Sequence, residues 1–159
     1  MYTITPCSPD HPDIVALIDA LDRYQQTLYP AESNHLLDLT QLPESQRLML
    51  IIRDALQQPV GCGAVVLNGD GSGEMKRVYI DPTHRGQRLG ESLLTTLETE
   101  ALQRGCDTLR LETGIHQHAA VKLYERSGYF QREAFAPYLP DPLSIFMEKR
   151  LVADLRQAM

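Results

Sequence analysis

The chain has 159 residues, of which 43% are hydrophobic and 23% charged, and its formal net charge is −6 at pH 7. This length and composition are typical of a soluble globular protein, and we predict a single domain spanning residues 1–159. The acidic balance argues against nucleic acid as a partner, because binding to phosphate backbones needs a basic face. No stretch approaches the roughly 20 consecutive apolar residues of a membrane span, so no membrane partner is predicted.

Cysteine usage and the N-terminus bear on the cellular compartment. The three cysteines, Cys7, Cys62 and Cys106, are odd in number and lack Cys-x-x-Cys spacing. This pattern argues against a disulfide framework or a zinc site and fits a reducing compartment. Aspartates between Asp10 and Asp19 interrupt any apolar run, so no signal peptide is predicted. We therefore expect a cytoplasmic protein without a bound metal.

The first third of the chain predicts a strand, a helix and an irregular segment. Tyr2–Pro6 alternates in the manner of a strand. Asp13–Leu28 carries apolar residues at intervals of three and four, which is typical of an amphipathic helix. The polar stretch Ala31–Ser45 predicts a loop with one helical turn at His35–Leu39.

Three apolar runs follow, and each predicts a strand. Arg47–Arg53 is short, apolar and bounded, as expected of a buried strand, and Val60–Leu67 and Glu74–Ile80 continue the series. Asn68–Gly73 joins the last two as a hairpin turn, because asparagine, aspartate and glycine tolerate positive φ.

Two further helices are predicted in the second half. The segment after Gly86 carries leucines with a period near 3.6, and Gly105 supplies a left-handed stop. After a strand at Thr108–Thr113, Gly114 introduces a second helix, which ends at Gly128.

The last two predicted strands, Tyr129–Phe135 and Ser144–Leu151, flank a proline-rich segment. Together the elements predict the α/β (α+β) class: a single mixed, largely antiparallel sheet of about seven strands flanked by helices. The exposed final strands favour a homodimer, because an edge strand presents unpaired backbone groups.

The clearest functional signal lies between Glu74 and Leu94. A β-branched run stops at Asp81-Pro82, and a short loop, Arg85–Gly90, then leads into a periodic helix. Backbone N–H groups at a helix start have no intrahelical partner, and the helix dipole adds positive potential. Strand, glycine-containing turn and helix start in this order predict a cradle for a phosphate group.

Two motifs together carry a family resemblance. Val-Tyr-Ile-Asp-Pro-x-x-Arg-Gly-x-x-Leu-Gly begins at Val78, and Leu-Tyr-Glu-Arg-x-Gly-Tyr follows about 30 residues later, ending at Tyr129. This combination resembles the GNAT superfamily of acetyl-CoA-dependent N-acetyltransferases over roughly Val60–Tyr129. The resemblance implies the GNAT acyl-CoA N-acyltransferase fold, with acetyl-CoA as co-substrate and no metal. The residues that it implies in coenzyme binding are Val78, Ile80, Arg85, Gly86, Gln87, Arg88, Leu89, Gly90, Gln117 and Tyr124.

Two positions depart from the family pattern. Arg88 stands where the loop has its middle glycine, and Gln117 stands where asparagine is common. A side chain that points away at Arg88 leaves the backbone amides in place, and its cation can add charge near a phosphate. Gln117 keeps the amide chemistry with one more methylene.

Acetyl transfer to an amine needs a base, an oxyanion donor and an acid. An alkylammonium of pKa ~10 must first lose a proton at pH 7. In the family, the position of Tyr124 is a general acid for the leaving thiolate, and a glutamate near Glu74 acts as base through water. Glu74 is the leading base here and Glu112 the reserve. The oxyanion donor is a backbone N–H around Val78–Ile80.

The sequence does not decide which side chains of the strand before the motif point into the site. The apolar run Val78–Ile80 breaks the alternation, so a bulge would reset which of Glu74, Lys76 and Arg77 points into the site. Further candidates for the acceptor pocket are Tyr29, Glu32, His35 and Tyr138.

We expect an enzyme that moves an acetyl group from acetyl-CoA directly to a primary amine of a small molecule or amino acid. No cysteine adjoins the motif, which disfavours an acyl-enzyme route. The alternatives are a non-catalytic acyl-CoA-binding or regulatory domain and a protein or peptide N-acetyltransferase. A fold of Ala31–Ser45 over the acceptor side would disfavour a protein tail.

Overall fold

Seven strands and three helices occupy the two ranges, residues 1–29 and 38–151, that this computed structural model describes. The strands are β1 (Thr3–Pro6), β2 (Arg47–Arg53), β3 (Pro59–Leu67), β4 (Ser72–Ile80), β5 (Thr108–Gly114), β6 (Phe130–Arg132) and β7 (Ser144–Arg150). The helices are α1 (Pro12–Gln26), α2 (Leu89–Gln103) and α3 (His118–Arg126). In these ranges no helix has the length and apolar character needed to cross a membrane.

All seven strands belong to one sheet with the order β1-β2-β3-β4-β5-β7-β6. Among the described pairs, β4 and β5 run parallel and the others run antiparallel. The predicted mixed, largely antiparallel sheet is therefore confirmed.

Two predicted boundaries are corrected by the structure. The strand predicted at Tyr129–Phe135 is limited to β6, because the chain then turns so that Phe135 packs edge-on against Phe146, with ring centroids 5.5 Å apart. The helix predicted to follow Gly114 begins only at His118, and Gly114 itself ends β5. The turn predicted at His35–Leu39 lies largely outside the described residues, which contain a 3-10 turn at Leu39–Gln41.

The sheet separates two apolar layers. Burial on both faces explains the apolar run between the two terminal arginines of β2: Leu50 packs on the α2 side and Ile51 on the α1 side, and both are at most 1% exposed. The α2 side also holds Leu93 and Leu97, which the helical period brings onto one face. Helices therefore cover both faces of the central strands.

The sheet splits between β4 and β5, its parallel pair. Pairing between them ends at Met75 with Leu111, although β4 continues to Ile80 and β5 to Gly114. The two strand ends therefore diverge at the centre of the molecule. This opening positions the site.

A bulge in β4 decides which of its side chains lie on each face of the sheet, which the sequence pattern had left open. Cys62 pairs with Tyr79 and Ala64 with Lys76, so two residues of β4, Arg77 and Val78, oppose one residue of β3. Arg77 has a φ of 58°, in the left-handed region. The extra residue shifts the alternation, and Val78 and Ile80 then pack towards the α2 side.

Candidate active site

A groove of about 410 Å³ runs from the end of β4 past the loop that precedes α2 to α3. Eight of the residues predicted for coenzyme binding line it: Val78, Ile80, Arg85, Gly86, Arg88, Leu89, Gly90 and Gln117. Gln87, from the same loop, is not among the described lining residues. One stretch of strand, loop and helix start thus forms most of one wall.

The loop before α2 has the backbone of an anion cradle. Gly86 has a φ of 86° and Arg88, the residue before the helix, a φ of 59°, so both are left-handed. The N–H groups of Leu89 and Gly90 begin a helix of 15 residues and lack intrahelical acceptors by position. Arg88 thus keeps the backbone conformation that glycine favours at its place in the family loop.

The groove is locally cationic although the chain is acidic overall. Its described lining contains four cationic side chains and one carboxylate; these are Arg85, Arg88, Lys122, Arg126 and Glu91. The Arg126–Glu91 ion pair, 3.2 Å between Nη2 and Oε1, neutralises only one of the cations. Such a surface suits a polyanionic ligand.

A smaller cavity of about 100 Å³ occupies the split between β4 and β5. Glu74, Lys76 and Arg77 line it from β4, and Glu112 lines it from β5. Leu21 and Gln117 line both the groove and this small cavity, so the two meet there.

Glu74 is held by two neighbours. The Tyr138 hydroxyl donates a hydrogen bond to Glu74 Oε2 (2.5 Å), and the Lys76 ammonium lies 3.1 Å from the same oxygen and donates to the Tyr138 oxygen at 2.7 Å. Burial, followed by the bond to Glu74 and its charge, raises the pKa of Tyr138 well above its usual range. Tyr138 therefore stays a neutral donor that orients the carboxylate.

The other charged groups of the small cavity also have partners. Arg77 Nη1 donates to Asp22 Oδ1 of α1 at 3.0 Å. The Ser144 hydroxyl donates to Glu112 Oε2 at 2.7 Å. Both proposed bases, Glu74 and Glu112, therefore lie at one cavity, on neighbouring strands.

Tyr29 closes the end of the small cavity near Gln117. Its hydroxyl accepts a hydrogen bond from the His116 N–H at 3.0 Å, and its ring lies 5.5 Å from the His116 ring. The Gln117 side-chain oxygen accepts from the Gly114 N–H at 3.1 Å, so the amide group of this side chain is oriented by the end of β5. The end of α1 is thus joined to the connection between β5 and α3.

Tyr124 lies on the buried face of α3 and is 7% exposed. Its ring meets that of Tyr129 edge-on, with centroids 5.9 Å apart. Burial raises the pKa of its hydroxyl well above the usual range. Tyr124 is not among the described lining residues of either cavity, and its catalytic role stays a prediction.

The remaining predicted acceptor residues divide into two groups. Tyr29 lines the small cavity and Tyr138 reaches Glu74, whereas Glu32 and His35 lie outside the described residues. Sequence reasoning missed Asp22 and Ser144; Asp22 adjoins the apolar stripe of α1 and was detectable as a polar residue at its edge, but Ser144 carried no signal. Within residues 1–29 and 38–151, no group of three His, Cys, Asp or Glu side chains is placed to hold a metal ion.

Comparisons with known proteins identify the class of protein to which this groove and cavity, on a split mixed sheet, belong. The sequence profile of the Acetyltransferase (GNAT) family matches residues 14–129. An "IAA acetyltransferase" of Azospirillum brasilense is 47% identical, and the match covers 94% of this chain and 97% of that protein. The uncharacterised N-acetyltransferase YsnE of Bacillus subtilis is 34% identical, and the match covers 87% of this chain and 92% of that protein. A solved Klebsiella pneumoniae structure, assigned as an acyl-CoA N-acyltransferase, has a TM-score of 0.88 and 60% identity over 95% of this chain and 98% of its own. The chain belongs to the GNAT acetyltransferase family.

The residues present fit the acetyl-CoA that this family uses. Coenzyme A carries a pyrophosphate, and the loop with left-handed Gly86 and Arg88 lines the groove together with cationic side chains at the start of α2, where free backbone amides favour an anion. The apolar residues Val78, Ile80 and Leu123 offer a surface for an uncharged arm. The groove therefore offers both a cationic surface and an apolar surface on neighbouring parts of its wall.

Proposed function

We propose that the protein transfers an acetyl group from acetyl-CoA directly to a primary amine of a small molecule or amino acid. The observation that carries this proposal is the meeting of the two cavities at Leu21 and Gln117. The cationic groove suits the donor, and the small cavity that it meets is lined by two carboxylates, Glu74 and Glu112. Acetyl-CoA supplies the activated thioester, and the chain's own residues supply the proton transfers.

Glu74 is the base in this proposal. It lines the small cavity, its side chain is 13% exposed, and Tyr138 and Lys76 fix one of its oxygens. The other oxygen is the one left to receive a proton, directly or through water. Glu112, held by Ser144, is the reserve base on the opposite wall.

Direct transfer is supported by the state of the cysteines. None of Cys7, Cys62 and Cys106 is among the described lining residues of the two cavities. Burial raises the pKa of Cys62 to about 12 and also raises that of the other two thiols. A thiol that is protonated near pH 7 is a poor nucleophile.

We also propose a cytoplasmic location and a homodimer, as the sequence predicts.

The test is release of free coenzyme A thiol across a panel of amines, amino acids, polyamines and peptides, with IAA added because a relative carries that name. We expect turnover of small primary amines or amino acids. Turnover of peptides alone would replace the proposal with the peptide alternative. Coenzyme A binding without turnover of any acceptor would contradict it.

The base assignment has its own test. We expect Glu74→Gln to lower kcat/KM by about 100-fold or more, because general-base catalysis contributes on that order. Glu112→Gln is the matched control, since it removes the facing carboxylate, and should cost less than about tenfold. The reverse order of the two effects would make Glu112 the base.

A further inference from the structure

Two neighbouring cations enter the small cavity from the same strand. Lys76 and Arg77 both line it, and their side chains are 13% and 12% exposed. Neighbouring residues of a regular strand face opposite sides of the sheet. The bulge at Arg77 and Val78 breaks that rule and brings both cations to one cavity.

The backbone at this point is strained. Arg77 has a φ of 58° without being a glycine, a conformation that is unfavourable for a residue with a side chain. Strained residues of this kind concentrate at ligand sites. A glycine would form the same bulge without that cost, so the guanidinium itself is the feature to be explained.

Cations are an unexpected lining for the cavity of an amine acceptor. An ammonium entering it would meet two charges of its own sign, and burial strengthens that repulsion. The cavity also holds the carboxylates Glu74 and Glu112, and Asp22 stands behind Arg77. A lining with both signs is complementary to a ligand with both signs, whereas a wholly acidic lining would suit a simple amine or a polyamine.

Both cations have partners in the protein, and their chemistry allows more than one partner at a time. Lys76 uses its ammonium towards Tyr138 and Glu74, and an ammonium has three N–H donors. A guanidinium has five donors and can serve two carboxylates together, so pairing with Asp22 is compatible with a ligand anion.

We propose that the acceptor is a small zwitterion, a primary amine with a carboxylate or phosphonate within a few bonds, and that Lys76 and Arg77 bind its anion. The inference rests on the proposed function and specifies its acceptor. The small cavity, a quarter of the volume of the groove, requires the anion to lie close to the amine. Glu74 and Glu112 then face the amine end.

The test uses matched acceptors that differ only in the anion. Leucine is compared with 3-methylbutylamine and phenylalanine with 2-phenylethylamine; β-alanine and 2-aminoethylphosphonate, each against ethylamine, distinguish carboxylate from phosphonate. Thiol release and product mass give kcat/KM for each. We expect at least one anionic member to exceed its matched amine by about tenfold to 100-fold, the effect of one or two charge-assisted hydrogen bonds.

Variants assign that preference to residues. Arg77→Gly suits the left-handed backbone and should raise KM for the anionic acceptor by about tenfold or more while leaving the matched amine within about threefold. For each pair, the kcat/KM of the anionic acceptor is divided by that of its matched amine. Comparing this ratio between wild type and variant cancels the intrinsic reactivity of each amine. Should the first variant fold poorly, Lys76→Met tests the same preference through the ratio alone: it also releases Glu74 and should slow every acceptor, but it should lower the ratio of kcat/KM for the anionic acceptor to that for its matched amine.

Two controls separate anion binding from structural support. Asp22→Asn breaks the ion pair with Arg77 but keeps the guanidinium, so the preference should persist. Arg53→Gly removes a comparable strand-to-α1 pair, Arg53 with Asp13 at 2.8 Å, and should leave the ratio unchanged.

Three outcomes would overturn the inference. The first is that every matched amine has the same kcat/KM as its anionic partner. The second is that the preference for the anionic acceptor survives in both Arg77→Gly and Lys76→Met. A preference lost equally in Asp22→Asn would make Arg77 a structural residue only. Failure to acetylate any amine in the panel, with coenzyme A bound, would instead refute the proposed function on which the inference rests.

Discussion

At the scale of single residues, the protonation state of Tyr124 bears on its predicted role as the acid. The Tyr124 hydroxyl is buried, and its pKa is raised well above the usual range. A group in this state is protonated throughout the neutral range, so it can act as a proton donor but not as a base. Deprotonation of Tyr124 should therefore cause no alkaline loss of activity below about pH 10.

We expect Tyr124→Phe to lower kcat by about tenfold to 1000-fold, because it removes the proposed acid, with coenzyme A affinity nearly unchanged. Steady-state kinetics and calorimetry check the two halves of this prediction. Tyr129→Phe is the matched control: it is also a buried tyrosine, and its hydroxyl donates to Glu98 rather than to the site. Unchanged turnover in Tyr124→Phe, with chemistry rate-limiting, would refute the acid role.

The loop glycine Gly86 provides a second residue-scale prediction. A Cβ at Gly86 would meet nothing within 4 Å, so Gly86→Val acts through its φ of 86° and not through a clash. A β-branched residue disfavours that conformation, and the loop should shift. We expect coenzyme A affinity to fall by about tenfold or more, measured by calorimetry.

Gly69 supplies a matched control for this variant. It has a φ of 83°, lies in the turn between β3 and β4, and is equally open, since a Cβ there would also meet nothing within 4 Å. Gly69→Val should lower the free energy of unfolding to a similar extent but leave coenzyme A binding intact. Equal binding losses in both variants would refute a phosphate cradle at Gly86.

Among elements, the contact between the end of α1 and the end of β5 decides the shape of the small cavity. Tyr29 lies against Gly114 so closely that a Cβ there would stand 1.7 Å from its hydroxyl oxygen. The hydroxyl also accepts from the His116 N–H. Gly114 is therefore required for close packing of the helix end over the strand end.

We expect Gly114→Ala to displace Tyr29 and to lower the free energy of unfolding by about 1–3 kcal/mol, the usual cost of overpacking. The KM of the acceptor should rise, whereas coenzyme A affinity should change little. In a Tyr29→Ala background, Gly114→Ala should lower the free energy of unfolding by less than about 0.5 kcal/mol, since the clash with the Tyr29 ring is gone. Denaturant unfolding of the four proteins gives the coupling, and simple additivity would contradict the proposed contact.

At the scale of the whole molecule, Glu148 joins the last three strands of the sheet. The β7 carboxylate accepts from Arg110 Nε of β5 at 2.8 Å and from Arg132 Nη1 of β6 at 2.5 Å. Burial alone would raise the pKa of Glu148, but the hydrogen bonds and charges of the two arginines more than offset it, and the pKa is lowered. Its contribution to stability is therefore present above the unfolded-chain pKa and is lost as the pH falls through the lower folded-state pKa.

We expect Glu148→Gln to lower the free energy of unfolding at pH 7 by about 2–3 kcal/mol, as for hydrogen bonds to charged groups. The variant should also lose less stability than the wild type as the pH falls below about 4.5. Urea unfolding across pH measures both effects. Glu91→Gln, which breaks an exposed ion pair, should change stability by less than about 1 kcal/mol, and parallel pH curves for wild type and Glu148→Gln would contradict the assignment.

Features with a local cause could be predicted from the sequence. The period of α2, the stop at Gly105 and the apolar run of β2 follow from spacing and from backbone preferences, and they fix the class of fold. The phosphate loop is also local, since strand, Gly86 and helix start are contiguous. The family resemblance could therefore predict the donor half of the site.

The acceptor half was decided by tertiary structure. The bulge at Arg77 depends on pairing with β3, and Tyr138 reaches Glu74 across 64 positions of sequence. Ser144 reaches Glu112 across 32 positions. No spacing rule or local preference encodes such contacts, because they arise only when the sheet brings distant strands together. The sequence alone determined the fold class and the loop between β4 and α2, and the packed sheet determined which charged side chains line the small cavity.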